Sequence, residues 1–246
     1  MFHKRRLTGC ESSSNISEAV RQYCLLLVSL STISFDVSIV AAEPPSFNED
    51  VIPVLNRFGC SSGGCHGKLA GQNGFRLSLR GYAPEQDFEF IARESRGRRI
   101  NPAAAEHSLL IRKATGLEPH GGGKRFGIDE PAAQLLIDWI RAGAPGPSED
   151  EPRLQHIVVD PSVKTLTVGE SQALRVTAVY SDGKQRDVTW LTKFASSDPG
   201  ALDVSEDGTA SAVRNGETVV RATFQDQVEI ATFVSPYSQP VEPAWY

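Results

Sequence analysis

The segment Gly143-Ala-Pro-Gly-Pro-Ser-Glu-Asp-Glu-Pro152 divides the chain into two regions that read differently. Its prolines remove backbone donors and its glycines and acidic residues favour solvated turns, so residues 146–154 read as a linker. Upstream of it apolar residues recur every three or four positions. Downstream they recur every second position. The expected architecture is two domains, an all-α domain over residues 43–145 and an all-β sandwich over residues 155–236.

In the downstream region the alternation marks short strands at His156–Val159, Thr165–Val168, Ala173–Tyr180, Asp187–Trp190, Ala201–Val204, Ala210–Arg214, Thr218–Phe224 and Val228–Val234. Turn residues separate them, among them Ser181-Asp182-Gly183, Asp198-Pro199-Gly200, Asp207-Gly208 and Asn215-Gly216. Closely spaced short strands with turn chemistry between them are the pattern of a β-sandwich.

Upstream, Phe47, Val51, Val54, Leu55 and Phe58 fall on one helical face. Ser46 or Asn48 serves as its cap, and Pro53 is tolerated because it comes early. A second helix is expected over Pro131–Ala142, capped by Asp129 and stopped by Gly143, with Ala132, Leu135, Leu136, Trp139 and Ile140 as its buried stripe. A shorter one is expected over Glu106–Lys113, and the Gly-rich stretch Gly67–Gly81 reads as loop.

The first 42 residues read as an export signal. Lys4, Arg5 and Arg6 precede an apolar run from Cys24 to Phe35, and Val40 and Ala42 suit a signal-peptidase site, with cleavage after Ala42. An uncleaved anchor is the competing reading, but the run is shorter than the ~20 apolar residues a span requires. Residues 1–42 carry four basic and three acidic groups, so cleavage leaves a chain slightly more acidic than the net −5 of the whole. An acidic chain with no basic run beyond Lys4–Arg6 is a poor nucleic-acid binder. Cleavage also removes Cys10 and Cys24, leaving Cys60 and Cys65 in an oxidising periplasmic or cell-surface compartment.

Those two cysteines carry the chemistry of the upstream region. Gly59-Cys60-Ser61-Ser62-Gly63-Gly64-Cys65-His66-Gly67 places a histidine directly after the second cysteine. Two thiols followed by histidine suit covalent haem c, in which the thiols form thioethers and the imidazole ligates iron. The usual gap is two residues and here it is four, with Gly63 and Gly64 giving the longer loop its freedom. A Cys60–Cys65 disulfide, a zinc site with His66 and His120, and a redox-active dithiol compete with that reading.

Several segments resemble the planctomycete-type cytochrome c-like domain. They are Phe47-Asn-Glu-Asp-Val-Ile-Pro-Val-Leu55, Gly59-Cys60 with Cys65-His-Gly67, Ser108-Leu-Leu-Ile-Arg-Lys-Ala-Thr-Gly116, Pro119-His-Gly-Gly-Gly-Lys-Arg-Phe126 and Trp139-Ile-Arg-Ala-Gly-Ala144. The four-residue gap is itself a feature of that family. The resemblance implies one covalent haem c on Cys60 and Cys65, with His66 as proximal iron ligand and His120, from the Pro-His-Gly-Gly segment, as the second. Methionine is excluded as a ligand because Met1, the sole methionine, leaves with the signal. Of the other histidines, His107 reads as a solvated helix-start residue and His156 as an ordinary strand residue. Iron held by two histidines fits electron transfer, and no catalytic residue is expected. Lys124, Arg125, Arg98 and Arg99 receive no role.

Residues 155–236 resemble the bacterial Ig-like domain of group 2. The resemblance rests on Val158-Val-Asp-Pro161, Leu166-Thr-Val-Gly169, Tyr180-Ser-Asp-Gly183, Asp187-Val-Thr189, Ser196-Ser-Asp198, Asp207-Gly208 and Val219-Val-Arg-Ala222. It implies a spacer or adhesion module touching the cell envelope or a glycan. The full expectation is an all-α cytochrome c-like domain followed by an all-β Ig-like sandwich, acting as an electron carrier with an unidentified redox partner protein. The alternative is a cell-surface interaction module whose Cys60 and Cys65 form a disulfide. Residues 237–246 read as a tail cut short of further domains, where any enzyme activity would lie.

Overall fold

The computed structural model describes residues 43–237. The export signal expected over residues 1–42, and the tail beyond Tyr237, lie outside the described residues.

The helical region opens with one wide turn, Phe47–Val51, that runs directly into α1, Ile52–Arg57. Ser46 caps it: its hydroxyl accepts from the Glu49 amide at 3.0 Å, and its own amide donates to the Asp50 carboxylate at 2.8 Å. This reciprocal arrangement satisfies donors that a helix start leaves free. Pro53 sits in the first turn of α1, where its missing N–H costs nothing. Next come α2, Pro84–Phe88, continued by Glu89–Arg93, and then α3, Leu109–Ala114, and α4, Pro131–Arg141.

Three helical expectations change. The helix anticipated over Glu106–Lys113 is broken at Ser108, whose extended backbone separates a tight turn, Pro102–His107, from α3. The residue capping α4 is Glu130 rather than Asp129, and the Glu130 carboxylate accepts from the Gly127 amide at 2.8 Å. The α2 region was not anticipated, because charged residues interrupt its apolar positions.

Phe47 holds the helices together. Its ring lies edge-on to Phe88 at 5.4 Å and tilted against Trp139 at 5.6 Å, and both Phe47 and Trp139 are fully buried. The Trp139 indole donates to the Pro145 carbonyl at 2.9 Å, which satisfies its one polar atom and ties α4 to the start of the linker.

The second region contains ten strands: β1 Leu154–Asp160, β2 Val163–Thr165, β3 Ser171–Ala173, β4 Arg175–Tyr180, β5 Gln185–Asp187, β6 Lys193–Ser196, β7 Leu202–Val204, β8 Thr209–Ala212, β9 Gly216–Phe224 and β10 Gln227–Ser235. They form sheets of order β1-β4-β5, β2-β10-β9-β6 and β3-β8-β7. All pairings are antiparallel except β2 with β10. The period-two pattern is directly visible in burial: Val176, Ala178 and Tyr180 point inward from β4, Val220, Ala222 and Phe224 from β9, and Ala231 and Phe233 from β10. With no cysteine between residues 154 and 235, the sheets are held by apolar packing alone. The short strands β3 and β6 were not anticipated. Two expected strands are corrected: in place of Thr165–Val168 the strand is Val163–Thr165 and the chain turns after it, and over Asp187–Trp190 the chain leaves β5 and turns through Thr189–Leu191. Asp187 drives that turn by accepting from both the amide and the hydroxyl of Thr189, at 3.0 and 2.6 Å.

Candidate functional site

The Cys–His segment leaves α1 through Gly59, whose φ of +74° is open to glycine at little cost. The chain then folds back on itself. The Cys60 amide donates to Leu55 O at 2.9 Å, the Cys65 amide to Ser62 O at 3.0 Å, and the His66 amide to Cys60 O at 3.0 Å. Gly67 closes the loop so tightly that a Cβ there would lie 2.0 Å from Ser61 O. These backbone bonds bring Cys60, Cys65 and His66 to one wall of a cavity of about 390 Å³.

His120 comes to the same cavity from the Gly-rich loop before α4. Gly122 lies close beside His120: a Cβ there would meet Arg125 Nη2 at 2.8 Å and His120 Cε1 at 3.1 Å, so a side chain would displace the Arg125 tip and crowd the imidazole. The two imidazole rings are nearly parallel, 7° between planes, with centroids 6.2 Å apart. Each is held by its Nδ1 against a carbonyl oxygen, His66 on Phe75 O and His120 on Gly123 O, both at 2.9 Å. In the neutral tautomer that donates those bonds, each Nε2 keeps its lone pair. Burial pushes the His66 pKa below its usual 6.5, the Phe75 carbonyl opposes this, and His120, Arg99 and Arg125 add to the lowering.

The two thiols differ. Both are free in the structure. Burial pushes the Cys60 thiol up to about 11. Cys65 instead receives the Arg125 guanidinium, with Nη2 donating to Sγ at 3.2 Å. Phe75, Phe126, Leu109, Leu110 and Leu136 supply the apolar lining, and Arg98, Arg99 and Lys113 complete the cationic rim. Arg99 is structural: it is buried and spends its donors on Phe90 O, Gly74 O and Glu94.

All four residues singled out from the sequence, Cys60, Cys65, His66 and His120, therefore line one cavity. His107 and His156 stay outside it, exposed on the turn before α3 and on β1. Sequence reading gave Arg125 no role and did not single out Lys113 or Phe75, which no spacing rule ties to the Cys–His segment. As a donor set, these two imidazoles and two thiols around an apolar space could hold a cofactor.

The downstream fold is an Ig-like β-sandwich. Residues 154–234 match the family model of the Bacterial Ig-like domain (group 2). An S-layer-related protein of Niallia circulans is 34% identical over 82 residues, which is 33% of this chain but 5% of that protein. Among solved structures, domains 1–6 of surface layer protein SbsC share 19% identity over 37% of this chain and 14% of that one, with a TM-score of 0.31. Domains 4 and 5 of the S-layer protein SbsC share 18% over 35% and 54%, also at 0.31. The chain thus spans a small part of the length of the curated relative.

These findings correct the description of the chain as a cytochrome, a haem-iron or metal-binding protein and an electron carrier. What the comparisons find is the Ig-like module and an S-layer-related protein. Among the described residues no group of three or more His, Cys, Asp or Glu side chains is gathered to hold a metal ion. In the cavity the two imidazole centroids stand 6.2 Å apart, and neither thiol joins them in a compact ligand set. Among the described residues, no helix is long and apolar enough to cross a membrane.

Proposed function

We propose that this chain is an exported cell-envelope module, in which the Ig-like sandwich makes the contact to the cell surface and the helical region is carried beside it. The observation that supports this most directly is the match of residues 154–234 to the bacterial group 2 Ig-like domain, together with the S-layer-related relative from Niallia circulans. The sandwich suits such work. Its paired strands present loops and sheet faces to a partner. A fold alone does not dictate a partner, so the proposal names a class of surface, the cell wall and its glycans. We place the chain's own ligand-binding site at Cys60, Cys65, His66 and His120, on the convergence of these four on one cavity.

The test is made on the whole chain secreted with its export signal. It is expected to sediment with purified cell-wall sacculi and to fractionate with the envelope, colourless and with the intact mass of the polypeptide. Recovery in the soluble periplasmic fraction, with no sedimentation on sacculi, overturns the envelope reading. A Soret band with added mass that survives denaturation, in a host able to mature c-type haem, would replace it with a cofactor-carrying one.

A further inference from the structure

The first turn of the helical region, Ser46–Asp50, is also where the sandwich touches it. Arg186 of β5 reaches across as a fork: Nη1 lies 2.9 Å from Glu49 Oε2 and Nη2 lies 2.5 Å from Asp50 Oδ1. Lys184 Nζ stands 3.9 Å from the same Glu49 oxygen. The side chains of Glu49 and Asp50 retain only 7% and 14% of their exposure, and that of Arg186 29%. Two further bonds tie the same turn. Gln225, in the turn between β9 and β10, donates to Asn48 O at 3.2 Å, and the Ser46 hydroxyl donates to Glu151 of the linker at 2.9 Å.

Ion pairs on open surfaces contribute little because water and salt screen them. This one is different in burial and in geometry. A planar guanidinium that divides its donors between two carboxylates is held in orientation as well as position. Removing it leaves two nearly buried carboxylates beside each other with only the distant Lys184 for compensation, which is the costly way to break a buried pair. Domains joined by a short Pro/Gly/acid linker are otherwise expected to move relative to each other.

We infer that Arg186 is a latch: it locks the sandwich onto the Glu49–Asp50 turn, so that the helical region and the Ig-like domain behave as one rigid body. The cavity of the helical region is then presented at a fixed orientation to whatever surface the sandwich contacts. The latch stands on its own observations and does not depend on the envelope reading. It can fail while sacculus binding persists, and it can hold while that binding fails.

Calorimetry and small-angle X-ray scattering on the whole exported chain test it. The parent chain is expected to unfold in a single transition and to scatter as one compact particle. Arg186→Gln is expected to split the transition into two separated by about 5 °C or more, and to increase the maximum dimension. The near-isosteric double variant Glu49→Gln/Asp50→Asn removes the same attraction from the other side, and carries the test should Arg186→Gln not fold. Arg57 meets Glu206 at the exposed edge of the sandwich, 3.3 Å apart, and Glu206→Gln is expected to leave both measurements unchanged. A single transition with the parent's dimensions in Arg186→Gln, or in the double variant, overturns the latch.

Discussion

The two regions are built on opposite terms. In the sandwich, β9 and β10 pair residue for residue along nine positions, and inward side chains alternate from Thr218 to Phe224 on β9 and from Ala231 to Ser235 on β10. In the helical region, α4 has eleven residues, but α1 and α3 have six each and α2 five, and loops and single turns make up much of the chain between them. Regular pairing stabilises the sandwich over its whole surface. The helical region depends on a few large buried side chains and on close backbone approaches at glycines. Damage should therefore be concentrated at particular residues in one region and spread out in the other.

The sharpest way to break this contrast is Trp139→Ala. The indole is fully buried against Phe47 and its Nε1–H is spent on Pro145 O. Its loss is expected to cost about 3–5 kcal/mol, as large-to-small replacements of buried aromatics do. Urea denaturation followed by far-ultraviolet circular dichroism reads this directly. A cost below about 1 kcal/mol would show that the helical core tolerates loss as an exposed surface does.

The thiols sharpen the comparison inside the helical region itself. With Cys60 pushed up to about 11 by burial, from the ordinary 9.0, its thiolate fraction near neutral pH is about 100-fold below that of an unperturbed thiol. Under iodoacetamide, Cys65 is expected to label first, and peptide mass mapping over time shows the order. Labelling of Cys60 ahead of Cys65 would mean that the cavity wall opens far more readily than its packing implies.

How far the sequence reveals all this depends on which forces leave a periodic trace. Alternation at β4, β9 and β10 reports a two-sided sheet, and the linker's prolines report a boundary, so the long strands could be read from the sequence. The three- and four-residue strands β2, β3 and β6 were displaced or missed, because so few residues carry no clear period. Elsewhere a side chain redirected the backbone, as Asp187 does by capping Thr189. Most of the α4 stripe was legible for the same reason as the long strands, although Leu135 is only half-buried while Ala133 and Ile137 are buried. The break at Ser108 was not, because the Ser108 hydroxyl accepts from the Asn101 amide, a contact seven residues away that no local period carries. Cys60, Cys65, His66 and His120 were found as residue types at suggestive spacing. Their convergence on one cavity required the folded loops, and so did the role of Arg125, which reaches Cys65 across sixty residues. The family resemblance went further than the comparisons allow in the helical region and matched them in the sandwich.

A smaller effect concerns pH. Burial lowers the His66 pKa in the folded chain, so the folded state takes up a proton less readily than the unfolded chain at about 6.5. The stability this neutral imidazole contributes is complete above about pH 6.5 and is lost as pH falls from there through the lowered folded value. The denaturation midpoint is expected to drop between about pH 7 and pH 5, and His66→Gln to flatten that drop. If His66→Gln keeps the full slope, the acid sensitivity belongs to other groups.

The smallest expected effect lies on the outer face of the sandwich. Val228 and Ile230 of β10 stand about half exposed, at 51% and 48%, on the side opposite the buried Ala231 and Phe233. Ile230 faces Arg221 on β9 across the sheet. Because threonine keeps the branched Cβ that strands favour and the site is already wet, Ile230→Thr is expected to shift stability by less than about 0.5 kcal/mol. Such a change in a fully packed strand would cost several times more, so this variant measures whether the outer face is free in the whole chain. A destabilisation above about 1 kcal/mol would mean that something covers Ile230 in solution. The sandwich would then join the helical region in depending on a few particular buried contacts, and the contrast between the two would narrow to the length of their regular elements.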